Sequence, residues 1–261
     1  MSIKLYFFEC GILKSEKHLF TLNKGAGVPF EVPVPFFLIQ YKGKNILFDT
    51  GNALEVANNP QEHWGDIVNV YFPEMAESEF VGNQLKNILG ISADEIDYVI
   101  LSHLHLDHAG GVGVFKNATY IVHEKEYEWA FSPECSQKSA YIMRDITKDV
   151  NWLKINNEFS IGFDLFNDSV IKIYPTPGHT PGHISVFINL ENSKPMFLTS
   201  DSCYTEENLN DNIPPGLAWS ESESIKTLEF IKKMQAENIE IVVGHDPVAW
   251  KQFKKAPEFY S

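Results

Sequence analysis

Residues 102–111 read Ser-His-Leu-His-Leu-Asp-His-Ala-Gly-Gly and follow directly on a short strand expected over Ile96–Leu101. Three imidazoles and a carboxylate fall within six positions, in a chain that holds nine histidines in all. An accidental polar loop does not concentrate ligands in this way. A buried strand ending in such a cluster places its side chains rigidly at the strand tip. His103 and His105 are two apart, so an extended backbone points both rings the same way. Asp107 and His108 come where the chain is expected to turn into a helix, from which they would face a second ion beside the first. Ala109-Gly110-Gly111 lets the backbone pass close to the site. Imidazole with carboxylate suits Zn2+, and iron, manganese and cobalt are also compatible.

Two ions need further ligands, and the chain supplies them in matching places. His179 lies in Thr-Pro-Gly-His-Thr-Pro-Gly-His (residues 176–183), after a strand over Val170–Pro175. Asp201 follows the strand Met196–Ser200, and His245 follows the strand Ile239–Val243. Each sits at the C-terminal end of a strand, where ligand sites of α/β proteins gather. Singly, each reads as a turn residue or a helix cap. With the first cluster they complete two sets of three, with Asp201 able to bridge. His123 and His183 are read as structural.

Elsewhere strands and helices alternate. Strands are expected at Ile3–Phe8, Phe36–Tyr41, Asn45–Asp49, Thr119–Val122 and Ile184–Leu190, with a hairpin turn at Lys42-Gly43-Lys44. Val81–Leu89 has helical spacing and ends at Gly90 as its cap. Helical stretches are also expected from Glu124 to about Val150, and a helix over Ser222–Gln235. Residues 52–80 show no periodicity and read as a long surface excursion. The two halves share a plan: strands, a helix, then a strand ending in a histidine-bearing loop. The fold class is α/β, read as one domain over residues 1–261.

Composition bounds the function. The net charge of −14 weighs against nucleic-acid partners, which demand basic patches. No apolar run approaches a membrane span and no signal-peptide pattern is present, so a cytoplasmic enzyme is expected. The three cysteines, Cys10, Cys135 and Cys203, make no CxxC pair and are read as small buried hydrophobes in a reducing compartment. Nothing specifies a partner subunit; a monomer and a homodimer both fit.

His-Leu-His-Leu-Asp-His-Ala-Gly-Gly, Thr-Pro-Gly-His-Thr-Pro-Gly-His, Ser200-Asp201-Ser202-Cys203-Tyr204, Phe48-Asp49-Thr50-Gly51 and Gly244-His245-Asp246 resemble the metallo-β-lactamase superfamily. Within it they are similar to the N-acyl-homoserine lactonases that silence bacterial quorum sensing. The resemblance implies a four-layered αβ/βα sandwich with two zinc ions at one edge. It places His103, His105 and His179 on one ion and Asp107, His108 and His245 on the other, with Asp201 and a hydroxide bridging. Asp49 would orient the ligand loops by hydrogen bonds.

The activity so implied is opening of an acyl-homoserine lactone by attack of the bridging hydroxide. Tyr204 would contact the substrate carbonyl, and Asp107 would pass a proton to the leaving alkoxide. A different esterase or thioesterase of the glyoxalase-II type shares all seven ligands and is the alternative. Those enzymes carry a further helical region with basic residues, whereas about sixteen residues follow His245 here. A fatty acyl tail requires an apolar channel. Candidates are Leu106, Trp64, Tyr71, Phe72, Val28, Phe30, Val34 and the stretch 214–219, with Gly216 at the substrate.

Overall fold

A computed structural model describes residues 2–158 and 161–261. The hairpin that opens the chain is much longer than the apolar alternation suggests: β1 (Lys4–Glu16) pairs with β2 (Pro29–Tyr41) antiparallel. A bulge between Glu9 and Ile12 resets the register, so the strand continues beyond Phe8. β3 (Lys44–Phe48) returns through a tight turn in which Lys42 and Gly43 both have positive φ. Residues 52–80 do not form a featureless excursion. They hold α1 (Pro60–Trp64), three short 3-10 turns and β4 (Phe72–Glu74), which adds to β1 as the sheet edge.

After α2 (Val81–Leu89), capped by a left-handed Gly90 as expected, the chain lays down β5 (Tyr98–Ile100) and β6 (Thr119–His123) parallel to β3. The helical stretches expected between Glu124 and Val150 are short. α3 (Glu124–Ala130) stops ahead of Ser132-Pro133, because proline disfavours a helical residue before it and has no N–H to donate. A 3-10 turn over Lys138–Ala140 and α4 (Met143–Ile146) follow, and then β7 (Asn151–Ile155), a strand without a clear sequence signal. The first sheet has the order β4-β1-β2-β3-β5-β6-β7.

The second sheet is built from β8 (Phe163–Asp164), β9 (Ile171–Pro175), β10 (Ile184–Ile188), β11 (Met196–Ser200) and β12 (Glu240–Val243), in the order β12-β11-β10-β9-β8. Between its last two strands come α5 (Glu206–Asp211) and α6 (Glu221–Ala236).

Side-chain parity turns these sheets into layers. On β1, Leu5 and Phe7 enter the core between the sheets, while Tyr6 and Phe8 enter the core outside. On β2, Phe37 and Ile39 face inward, and Phe36 and Leu38 face outward. The second sheet repeats the arrangement: Met196 and Leu198 join the central core, and Phe197 joins an outer core with Leu228 and Ile231 of α6. Each sheet is thus buried on both faces, by the other sheet and by helices, which yields the αβ/βα sandwich. No helix among the described residues is long and apolar enough to cross a membrane.

Candidate metal centre

The C-terminal ends of β3, β5, β9, β11 and β12 converge at one edge of the sandwich. β5 ends at Ile100, the chain bends at Ser102, and after Leu104 it closes a single turn in which His108 and Ala109 donate to the His105 carbonyl at 3.1 and 3.0 Å. The expected helix does not form there, and this turn alone swings Asp107 and His108 away from His103 and His105. His179, Asp201 and His245 arrive from the other sheet. All seven side chains are buried, within three overlapping groups: His103/His105/His179, His103/His108/Asp201 and Asp107/His108/His245.

Asp201 lies between the two outer groups. Its Oδ1 is 2.9 Å from His245 Nε2 and 3.1 Å from His108 Nε2, while its Oδ2 is 3.2 Å from His179 Nε2 and 3.6 Å from His103 Nε2. Asp107 Oδ2 is 3.5 Å from His108 Nε2 and 3.7 Å from His245 Nε2.

Hydrogen bonds at the far side of each ring assign the tautomers. His179 Nδ1 donates to the Leu217 carbonyl and His245 Nδ1 to the Pro33 carbonyl, both at 2.7 Å. A carbonyl only accepts, so each Nδ1 carries a proton, and a neutral His179 presents the lone pair of its Nε2 inward, whereas His245 Nε2 meets the acceptor Asp201 Oδ1 at 2.9 Å. His108 Nδ1 meets Asp49 Oδ2 at 2.9 Å, and His103 Nδ1 meets Ser102 Oγ at 2.9 Å. Two bare nitrogens then approach each other, His179 Nε2 and His103 Nε2 at 3.2 Å, and His105 Nδ1 lies 3.0 Å from His179 Nε2. Lone pairs at these separations repel unless a cation lies among them. The edge of a tetrahedron with zinc–nitrogen bonds near 2.05 Å is about 3.3 Å, so the three imidazoles fit zinc. His108 Nε2 makes no hydrogen bond among the described residues, as a donor reserved for an ion would.

The electrostatics of the three-imidazole group agree with this fit. Burial, and then the neighbouring rings, push His103 and His105 well below the ordinary imidazole range, and burial lowers His179. These rings are neutral, as metal ligation requires. Burial alone would lower His108 and His245 too, but Asp201 and Asp107 raise both. Burial would raise Asp201, yet the facing His108, His245, His103 and His179 hold it well below the usual carboxylate range.

Asp49 braces the arrangement. In a left-handed backbone conformation at the end of β3, it accepts from Ser102 N at 2.7 Å, Ser102 Oγ at 2.9 Å, His108 Nδ1 and Ser200 Oγ at 3.1 Å. Ser102 and Ser200 went unremarked in the sequence, although each immediately precedes a candidate ligand. His183 packs beside His103, with ring centroids 5.2 Å apart, and its Nδ1 meets Thr176 Oγ1 at 2.9 Å. His123 caps α3 by accepting from Lys125 N.

A pocket opens on this centre, lined by Leu13, Phe20, Tyr71, Leu106, Ala140 and Leu217 beside His105, Asp107, Asp201, Tyr204 and His245. Tyr204 is buried; its hydroxyl lies 3.3 Å from His179 Nδ1, and its ring packs on Phe20 and His245. Burial and Asp201 raise its phenol well above the ordinary value, so it stays a donor. Several expected wall residues lie elsewhere. Trp64 and Val34 are in the outer core, Phe30 packs against that core, and Val28 and Phe72 are exposed. Gly216 is outside the pocket lining, where a Cβ would come within 2.0 Å of the His18 carbonyl oxygen. It lets the segment lie against residues 18–19, and Leu217 N then donates to Leu19 O at 3.1 Å. Leu13, Phe20 and Ala140 carried no signal in the sequence. Cys10 and Cys203 are buried as expected, but Cys135 is exposed.

The profile of the metallo-beta-lactamase superfamily matches residues 30–245. The chain belongs to that superfamily. Within it, the chain is 40% identical to the N-acyl homoserine lactonase AttM of Rhizobium radiobacter, over 99% of each protein. It is 34% identical to the N-acyl homoserine lactonase AiiA of Bacillus thuringiensis subsp. kurstaki, over 98% of each. A solved N-acyl homoserine lactone hydrolase, with the product N-hexanoyl-L-homoserine bound at its catalytic metal centre, superposes with a TM-score of 0.88 at 31% identity. That match covers 99% of this chain and 100% of the other. These matches place the chain in the N-acyl homoserine lactonase family of the superfamily.

Proposed function

We propose that this chain is a dinuclear zinc hydrolase that opens the lactone ring of N-acyl-homoserine lactones. The observation that carries the reading is Asp201, with one oxygen toward each group of imidazoles, beside Tyr204 on the floor of an apolar pocket. His103, His105 and His179 would hold one ion, Asp107, His108 and His245 the other, and Asp201 would touch both. Two zinc ions so held supply Lewis acidity, lowering the pKa of water toward neutrality and polarising the ester carbonyl.

The chain's own groups do the rest. Tyr204 donates its hydroxyl hydrogen to the carbonyl oxygen as negative charge develops there. His179 Nδ1 does not compete for that hydrogen, since its own proton already goes to Leu217. Asp107 lines the pocket, which suits a carboxylate that accepts the proton released by the attacking water. It returns that proton to the ring oxygen as the acyl–oxygen bond breaks, giving the open-chain acyl-homoserine. Phe20, Tyr71, Leu13 and Leu217 receive the acyl tail. The unpaired thiols of Cys10, Cys135 and Cys203 accord with a cytoplasmic setting.

The test is a panel of homoserine lactones of several acyl lengths, thioesters and phosphoesters, with metal analysis on the same preparation. Hydrolysis of acylated homoserine lactones well above the other classes is expected. Preference for a thioester would transfer the assignment to the thioesterases that share these ligands.

A further inference from the structure

Glu126, in the first turn of α3, is fully buried and belongs to neither group of ligands. It nevertheless meets both loops that carry the three-imidazole group. Its Oε1 accepts the backbone N–H of Leu104, the residue between His103 and His105, at 3.0 Å, and the Tyr141 hydroxyl at 3.0 Å. Its Oε2 accepts the Thr180 hydroxyl, one residue after His179, at 2.5 Å. The carboxylate also takes the backbone N–H of Gly182. Gly182 sits so close to α3 that a Cβ there would lie 2.0 Å from Glu126 N. Tyr141 closes the circle, its ring edge-on to His105 with centroids 4.5 Å apart. The other group is braced from different sides, His108 by Asp49 and His245 by the Pro33 carbonyl.

We propose that Glu126 is a positioning residue for the three-imidazole half of the centre. Its carboxylate sets the His103–His105 loop and the His179 loop at the spacing where their ring nitrogens converge. The inference rests on the reading of this centre as a metal site. Four donors converge on a group whose two oxygens offer about four lone-pair sites. Two of those donors are backbone N–H groups that cannot turn away. An amide in place of the carboxylate would bring its own N–H2 against them, with one oxygen left to serve both loops. The cost falls on the separation between the loops, not on any contact with substrate.

The experiment titrates metal-free protein with Zn2+ by calorimetry and with Co2+ by its visible absorption. His105→Ala and His245→Ala variants assign each binding step to its group. Glu126→Gln should weaken the step assigned to His105 by about 10- to 100-fold and leave the His245 step within about twofold. Equal weakening of both steps, or of neither, overturns the proposal. If Glu126→Gln does not fold, Thr180→Val with Tyr141→Phe keeps the carboxylate and both backbone bonds while removing two of its donors. That pair should weaken the same step selectively, by about three- to tenfold, and an unselective effect overturns the proposal equally. Wild-type protein that binds no metal would sink the metal reading, and this inference with it. Two wild-type steps with an unchanged Glu126→Gln would sink this inference alone.

Discussion

Removing one oxygen atom separates chemistry from packing at Tyr204. Tyr204→Phe keeps the ring and its contacts with Phe20, 5.2 Å between centroids, and with His245, 5.4 Å. The hydroxyl makes a long 3.3 Å contact with His179 Nδ1 and also faces the Asp201 carboxylate. That nitrogen already has its short partner in the Leu217 carbonyl, so the ligand keeps its orientation without the tyrosine. The loss to folding should be at the low end of about 0.5–1.5 kcal/mol for a hydrogen bond, and metal content should not change. Catalysis should suffer more. A sole oxyanion donor is worth about a hundred- to a thousandfold, and a donor that shares the oxygen with a metal should be worth less. We expect kcat on acyl-homoserine lactones to fall about ten- to a hundredfold, or roughly 1.4–2.7 kcal/mol in the barrier. Burial and Asp201 hold the phenol well above its ordinary value, so it remains protonated throughout the usual assay range. The pH–rate profile of the variant should therefore keep its shape while its height drops. Wild-type kinetics in the variant would reduce Tyr204 to a pocket wall. Loss of metal would refute the geometric reasoning, because it would mean that the hydroxyl supports His179 after all.

Elemental analysis should find close to two transition-metal ions per chain; His245→Ala should lose one, whereas Asp201→Ala should weaken both, because its oxygens face different groups. Asp49→Asn leaves the Ser102, Ser200 and His108 donors competing for one oxygen, so binding at the His108 group should weaken by about 10- to 100-fold in a metal titration. An unaffected titration would make Asp49 a simple turn residue. Longer acyl chains should bind better by up to about 0.8 kcal/mol per fully buried methylene, and Phe20→Ala should reduce that gain in kcat/KM without harming short-chain lactones. Equal efficiency on bare and long-chain lactones would remove the pocket from the account.

Much of the candidate ligand set was legible because its chemistry is local. A ligand at the end of a strand needs only the strand before it and a turn after it, and both leave marks in a few consecutive residues, as at Ile96–His108 and Met196–Asp201. The alternation of strands and helices is equally local and made the α/β class legible, whereas the four-layered sandwich was implied by the resemblance to the superfamily. Local signals also misled. Residues 52–80 show no periodicity, yet they hold α1 and β4. β1 outruns its apolar alternation because a bulge realigns it against β2.

What only the tertiary structure decided are relations between residues far apart in the chain. Asp201 can face both groups only because the two sheets bring β5, β11 and β12 to one edge. Phe20 reaches the pocket because Asn208 Nδ2 donates to its carbonyl oxygen from α5, at 3.0 Å and nearly two hundred residues away. Tyr71 lines the pocket because β4 pins its segment to β1, while the neighbouring Phe72, on the opposite face, is left to solvent. Glu126 looks like any acid in the first turn of a helix until Leu104 and Thr180 are folded onto it. A residue's chemical capacity is written in its side chain and its immediate neighbours. The partner on which that capacity acts is set by packing, and packing is a property of the whole chain.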